Sequence, residues 1–192
     1  MLDHHSSNPN GIGLMPLSIT TTQIIILVLL LAWLGACVVF DLRSRQVPAL
    51  LTIPPLIIAA LWRSFHGGWP VVVLVAVLIL FSDLPWPKWH IPLACLATIL
   101  ALSIPGTSES IYALLVIFAA WALWEIGATG GADAKLIISL VLLFGNGLLF
   151  IPIVIVGGIQ GMVGLIARKK TIPYTVAIAL GIASWLWLSA VR

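Results

Sequence analysis

The stretch Gly130-Gly131-Ala132-Asp133-Ala134-Lys135, followed directly by the apolar run Leu136 to Phe144, decides how this chain is interpreted. A flexible glycine turn meets the start of a membrane-type helix there, and a carboxylate stands at the boundary. An anionic side chain is costly in hydrocarbon, so an aspartate at this depth indicates a functional site. Asp133 would equally serve as a helix N-cap, whose oxygen accepts hydrogen bonds from the first free backbone N–H groups. The hexapeptide alone leaves both interpretations open.

The composition is typical of an integral membrane protein. Of the 192 residues, 61% are hydrophobic and 8% are charged, and the mean hydropathy is +1.19. Soluble domains carry about 25% charged residues, so a sizeable soluble domain is excluded. Residues 1–19 form a polar N-terminal tail without a basic start, which argues against a cleaved signal peptide. We expect residues 20–192 to form a single transmembrane domain.

Eight apolar segments, separated by polar turns, follow the tail. About 20 apolar residues span a bilayer as a helix, and the third and fourth segments are shorter than that. The sequence therefore predicts an all-α, polytopic membrane bundle of about eight (six to eight) transmembrane helices. The segments are 20–40, 48–62 (interrupted by Pro54-Pro55), 69–81, 92–104, 111–124, 134–145, 147–167 and 172–190.

The distribution of Lys and Arg predicts the orientation, because cytoplasmic loops are enriched in both. With eight alternating spans, only Arg63 and Arg192 fall on one side of the membrane. The other side, predicted to be cytoplasmic, holds Arg43, Arg45, Lys88, Lys135, Arg168, Lys169 and Lys170. Both termini are then outside, and Asp41 lies on the same cytoplasmic face as Asp133.

Paired carboxylates at one membrane depth have a defined chemistry. Two like charges a few ångströms apart cannot both ionise, so the pair shares a proton and its apparent pKa values separate. The ionised carboxylate takes a proton from water, and the protonated one polarises a substrate carbonyl. This chemistry requires neither a metal nor another cofactor, and the glycines beside Asp133 would let a substrate backbone approach.

The segment Gly130 to Leu136 resembles the GxGD signature of the type IV prepilin peptidase and preflagellin peptidase family. Two further motifs of the family are also matched, and all three lie along this chain in the family's order. The family's first-aspartate motif is similar to Asp41, Arg43, Arg45, Val47 and Pro48, and the segment that opens its last helix is similar to Ile172-Pro173-Tyr174. Ala132 replaces the usual second glycine, and Ala49 follows Pro48 where the family often has Asn.

The resemblance implies an aspartic-type endopeptidase of the prokaryotic cell membrane, with Asp41 and Asp133 as its catalytic pair facing the cytoplasm. Its partners would be membrane lipid and a prepilin-like or preflagellin-like substrate from which it removes a basic leader peptide, with no nucleic acid. The other residues of the matched motifs would bind substrate or complete the motif: Gly130, Gly131, Ala132, Lys135, Arg43, Arg45, Pro48 and Pro173. No loop with paired cysteines is present, so the chain resembles the short form without the methyltransferase domain.

Two alternatives remain. Membrane acids often relay protons, so a proton-coupled carrier could use the same two aspartates, although both lie near one face. A catalytically silent membrane protein of pilus assembly is the other. Several remaining residues receive structural interpretations: Glu125 and Asp83 as solvated boundary charges, Lys135 as a juxtamembrane charge that could also bind lipid headgroups, and Gly157 with Gly161 as a small-residue helix contact. Gly106 to Ser110 superficially resembles a serine-protease motif but lacks a histidine partner on a helix.

Overall fold

The computed structural model describes residues 21–82, 87–104, 111–166 and 174–191, and every regular element in these ranges is helical. There are eight α-helices in the described ranges, and a short 3₁₀ turn (Gly147–Leu149) precedes the seventh. The helices are α1 (Thr21–Ser44), α2 (Ala49–Phe65), α3 (Trp69–Ser82), α4 (Pro87–Ser103), α5 (Ile111–Glu125), α6 (Gly131–Phe144), α7 (Phe150–Ile166) and α8 (Tyr174–Val191). The predicted all-α class is confirmed, and each predicted segment overlaps one of these helices.

The predicted segment ends differ from the helix ends where polar residues flank an apolar run. Helix α1 continues to Ser44 and therefore carries Asp41 and Arg43, which lie beyond the predicted end of the segment at residue 40. Helix α4 begins at Pro87, so His90 is helical although the sequence was interpreted as a loop there. Hydropathy detects where a segment becomes polar, whereas backbone hydrogen bonding continues into the polar turn.

Helix α6 is the central element of the bundle. Every residue from Leu136 to Leu142 is buried, as is Ala134. The helix packs against α2 and α5 and more lightly against α8. A helix that is apolar on all sides requires such enclosure. It ends at Gly145, whose φ of 65° is the left-handed conformation that favours glycine at a helix C-terminus.

The other helices also contact one another in pairs. Close pairs are α7 with α8, α3 with α4, and α1 with α8. The indole N–H of Trp33 on α1 donates to the carbonyl of Leu51 on α2 at 2.8 Å. On α2 the backbone is helical through both Pro54 and Pro55. Trp121, Leu114 and Ile117 of α5 are fully buried, and α5 packs against α6.

One helix in the described part of the chain, Ile25–Ser44, has both the length and the apolar composition to cross a membrane, with a mean hydropathy of 2.7. Six shorter apolar helical stretches, each of 10–17 residues, lie elsewhere in the described part of the chain.

Candidate functional site

The start of α6 brings Asp133 to the end of the bundle where α1 finishes and α8 begins. Helix α6 starts after Gly130, whose extended backbone is the N-cap and which provides no side-chain cap. Asp133 is the third residue of the helix, so its interpretation as the N-cap residue is wrong. Its carboxylate reaches back instead to the backbone of Gly130, as an acidic side chain at this position of a helix commonly does.

The electrostatics of Asp133 connect it to Asp41. Asp133 directly precedes the apolar segment 134–145, and its pKa is raised to about 6. Burial is the largest cause, the charge of Asp41 is the second, and the Gly130 hydrogen bond acts in the opposite direction. The structure thus brings together the two aspartates that the sequence analysis paired, from helices that are far apart in the chain.

Asp41 has a specific partner on α8. The hydroxyl of Thr175 donates to Oδ2 of Asp41 at 2.5 Å, and Thr175 is 2% exposed. Sequence reasoning missed Thr175, because a single threonine after Tyr174 carries no pattern. Tyr174 was part of a quoted motif without an assigned role; its ring packs against Gly157 of α7, where an added Cβ would lie 2.8 Å from the ring.

The two glycines before Asp133 have different surroundings. A Cβ on Gly131 would lie 2.9 Å from the indole nitrogen of Trp124, so this glycine admits the tryptophan ring. Gly130 is exposed, and a Cβ there would approach the carboxyl group of Asp133, with Oδ2 at 3.1 Å. Ala132 is helical, and a helical φ does not require glycine. Alanine at this position, where the family signature has glycine, therefore causes no backbone strain.

Lys135 is partly buried rather than a free surface charge. Its amino group lies 5.8 Å from the centre of the Trp124 ring, within the range of a cation–π contact. Both side chains line a cavity of about 300 Å³ between α2, α3, α5 and α6, together with Leu56, Leu78, Ser82, Trp121 and Ala134. Directly before the glycine turn, Thr129 has a buried hydroxyl oxygen with no hydrogen-bond partner in the described part of the chain.

The first-aspartate motif forms the border of an open groove. Arg43, Val47 and Pro48 line this groove, which has a volume of about 560 Å³. Arg43 and Arg45 are exposed, and Arg45 adopts a left-handed φ of 55° as α1 ends. Its backbone N–H donates to the carbonyl of Asp41 at 2.9 Å.

Glu125 corrects one sequence-based interpretation. It is not a solvated boundary charge: its side chain is 19% exposed and its Oε1 lies 2.5 Å from Nδ1 of His90, which is itself buried. The pair connects the start of α4 to the end of α5, immediately before the glycine turn. No hydropathy pattern pairs a histidine and a glutamate 35 positions apart.

The remaining candidates divide between the two ends of the bundle and the undescribed ranges. Arg63 lies at the opposite end from Asp133, beside Gly145 at the C-terminus of α6. Gly161 faces open space, so only Gly157 of the predicted small-residue pair makes a close contact. The tail 1–19, Asp83, the side chain of Lys88, residues 106–110, Arg168, Lys169, Lys170, Pro173 and Arg192 lie outside what the structure describes.

In the described ranges, no group of three or more His, Cys, Asp or Glu side chains could hold a metal ion. The chain matches no known protein family, no curated protein and no solved structure.

Proposed function

We propose that this protein is a polytopic membrane aspartyl endopeptidase, similar to the prepilin and preflagellin peptidases, with Asp41 and Asp133 as its catalytic dyad. One observation carries the proposal. Two carboxylates from distant parts of the chain meet at one end of a helical bundle, close enough for the charge of Asp41 to raise the pKa of Asp133. A carboxyl group that keeps its proton to about pH 6 beside a second aspartate is the arrangement that acid–base hydrolysis of a peptide bond uses.

The two aspartates take different roles in this mechanism. Asp133 holds the proton and donates it to the carbonyl oxygen of the scissile peptide bond, while Asp41 accepts a proton from the attacking water. The water oxygen bonds to the carbonyl carbon and gives a tetrahedral diol. Asp41 then gives its proton to the leaving nitrogen, Asp133 regains one from the diol, and the C–N bond breaks. Both groups return to their starting states, and no metal or covalent intermediate takes part.

Other groups around the dyad fit a peptide substrate. Gly130 is exposed beside the carboxylate of Asp133, which leaves room for an extended backbone. The substrate class, a prepilin-like or preflagellin-like protein with a basic leader, follows from the motif resemblance around Asp41 and Asp133.

The membrane assignment rests on composition and on exposed apolar surface. In the described ranges, α6 exposes no large apolar side chain, whereas each of the other seven helices exposes several. Examples are Leu50 on α2, Ile166 on α7 and Trp187 on α8, which are 79%, 79% and 66% exposed. Apolar patches of this extent mark a membrane or partner surface. A helix of 14 residues, such as α3, spans only about 21 Å, so the bilayer would thin or the helix ends would be hydrated where short helices cross.

Co-expression tests the activity. A prepilin-like substrate with a short basic leader is produced in cells with and without this protein, and its electrophoretic mobility is followed. The expected result is a faster-migrating product with a new N-terminus, formed only when the protein is present. A substrate that stays full-length beside well-inserted protein would refute the proposal.

Accessibility labelling tests the orientation. Single cysteines at positions 44 and 130 should react with an impermeant reagent from the same, cytoplasmic side of sealed vesicles, because the proposal assigns both aspartates to that side. A cysteine at position 66, at the opposite end of α2, is the matched control and should react from the other side. Opposite sidedness for positions 44 and 130 would exclude a shared site.

A further inference from the structure

The hydroxyl of Thr175 differs from most hydroxyls on the helices of this protein. Serine and threonine hydroxyls in helices commonly donate to the carbonyl four residues earlier in the same helix. Such bonds occur at Ser44, Ser64, Ser82, Thr98 and Ser139. Thr175 is the second residue of α8, so no carbonyl of its own helix lies four residues before it. Its hydroxyl proton goes instead to Oδ2 of Asp41 on α1.

The position of Asp41 explains what this hydrogen bond does. Asp41 lies in the last turn of α1, where unpaired backbone carbonyls place negative partial charge beside the carboxylate. The start of α8 brings the positive end of another helix and one hydroxyl donor to the same carboxylate. A hydroxyl has one proton, so it engages a single oxygen of Asp41 and leaves Oδ1 for another partner.

We infer that Thr175 is a positioning residue, which holds Oδ2 of Asp41 so that Oδ1 faces the attacking water and Asp41 acts as the base of the dyad. The inference rests on the proposed function for its catalytic consequence, while the hydrogen bond itself can be measured without a substrate. Thr175 touches no reacting atom in this scheme. Thr175 is buried, and its hydrogen bond across helices ties the orientation of Asp41 to this hydroxyl.

Three variants of the full-length protein in lipid nanodiscs test the inference. Thr175→Val keeps the shape and removes the hydroxyl, and Thr175→Ser restores the donor. Thr98→Val is the matched control, because Thr98 is also buried but donates to Ala94 of its own helix at 2.8 Å. We expect Thr175→Val to lower kcat for leader cleavage by about tenfold to a hundredfold with little change in KM, as loss of a hydrogen bond to a charged group does.

The change in kcat without a change in KM, and its rescue by serine, separate positioning from packing. Thr175→Ser should recover most of the rate, and Thr98→Val should behave as the wild type. Wild-type kinetics for Thr175→Val would overturn the inference. Equal losses in Thr175→Val and Thr175→Ser, accompanied by lower melting temperatures, would also overturn it, because that result indicates packing.

An infrared measurement tests the hydrogen bond between Thr175 and Asp41 even if no substrate is cleaved. The difference spectrum between wild type and Asp41→Asn assigns the carboxylate band of Asp41. That band should shift in Thr175→Val and stay in place in Thr175→Ser and Thr98→Val. An unshifted band in Thr175→Val would overturn the inference, whereas absence of cleavage with a shifted band would refute only the proposed function.

Discussion

Gly181 lies where α8 meets α7, and its replacement by alanine tests this helix contact quantitatively. A Cβ at Gly181 would lie 2.6 Å from Cα and 2.8 Å from the backbone nitrogen of Ile153 on α7. Both atoms belong to a helix backbone, so they cannot move aside as a flexible side chain can. The separation must grow from 2.6 Å to at least 3.4 Å, the shortest ordinary van der Waals contact for a Cβ.

The magnitude follows from two opposing effects. Overpacking a closely fitted contact costs about 1–3 kcal/mol, and a clash between backbones lies at the upper end. Alanine in place of glycine within a helix returns about 1 kcal/mol. We therefore expect Gly181→Ala to lower the free energy of unfolding by about 2 kcal/mol, which corresponds to a Tm lower by roughly 4–8 °C.

Gly158→Ala on α7 is the matched control. Gly158 is helical, and a Cβ there would meet nothing within 4 Å. The substitution therefore adds only the stabilising effect of alanine's higher helix propensity. Thermal unfolding of both variants in the same detergent, followed by tryptophan fluorescence, should place Gly181→Ala below the wild type and Gly158→Ala at or above it. Equal melting temperatures for the two variants would refute the close α7–α8 contact.

Three further predictions concern the pH dependence of cleavage, the contact between Glu125 and His90, and the effect of EDTA. The rate of leader cleavage should fall as the pH rises above about 6, because Asp133, whose pKa is raised to about 6, then loses its catalytic proton. At higher pH the fall should approach tenfold per pH unit. A rate that stays unchanged to pH 9 would contradict the role of Asp133 as the acid. Glu125→Ala should lower the free energy of unfolding by about 1–3 kcal/mol, because it removes the acceptor beside the buried Nδ1 of His90. Glu125→Gln should lower it less, since the amide keeps an oxygen. Equal melting temperatures for the two variants would contradict this prediction. Cleavage should be unaffected by EDTA, and activity lost to EDTA and restored by zinc would overturn the metal-free mechanism.

The architecture could be predicted because it follows from a simple physical property. Eight apolar segments separated by polar turns are visible in the sequence, and each overlaps one of the observed helices. Asp41 and Asp133, which the parity of the segments placed together, interact electrostatically in the bundle. The turn signals were also informative: Gly145 ends α6 in the left-handed conformation that glycine favours.

The partners of the site residues could not be predicted. Thr175 contacts Asp41 across 134 positions, and His90 contacts Glu125 across 35, and neither distance corresponds to a sequence period. The interpretation of Asp133 as the N-cap was wrong, because Gly130, three residues earlier, has the cap conformation. Hydropathy alone also made Glu125 a surface charge, since it cannot show that a histidine at the start of α4 covers it.

Cleavage by the Asp133→Asn variant tests the central claim most directly. Asparagine keeps the size of the side chain and can still accept a hydrogen bond from the backbone of Gly130, but it cannot hold and donate the catalytic proton. A structural role at the helix start would therefore survive the change, because an amide oxygen at the third helical position can bond back to the backbone N–H of the cap residue as a carboxylate does. The variant should insert and melt like the wild type.

We expect leader cleavage by Asp133→Asn to fall by at least roughly 10³-fold, and the double variant with Asp41→Asn to be little worse, because residues that act as a unit are not additive. Near-normal cleavage by well-inserted Asp133→Asn would contradict the aspartyl dyad.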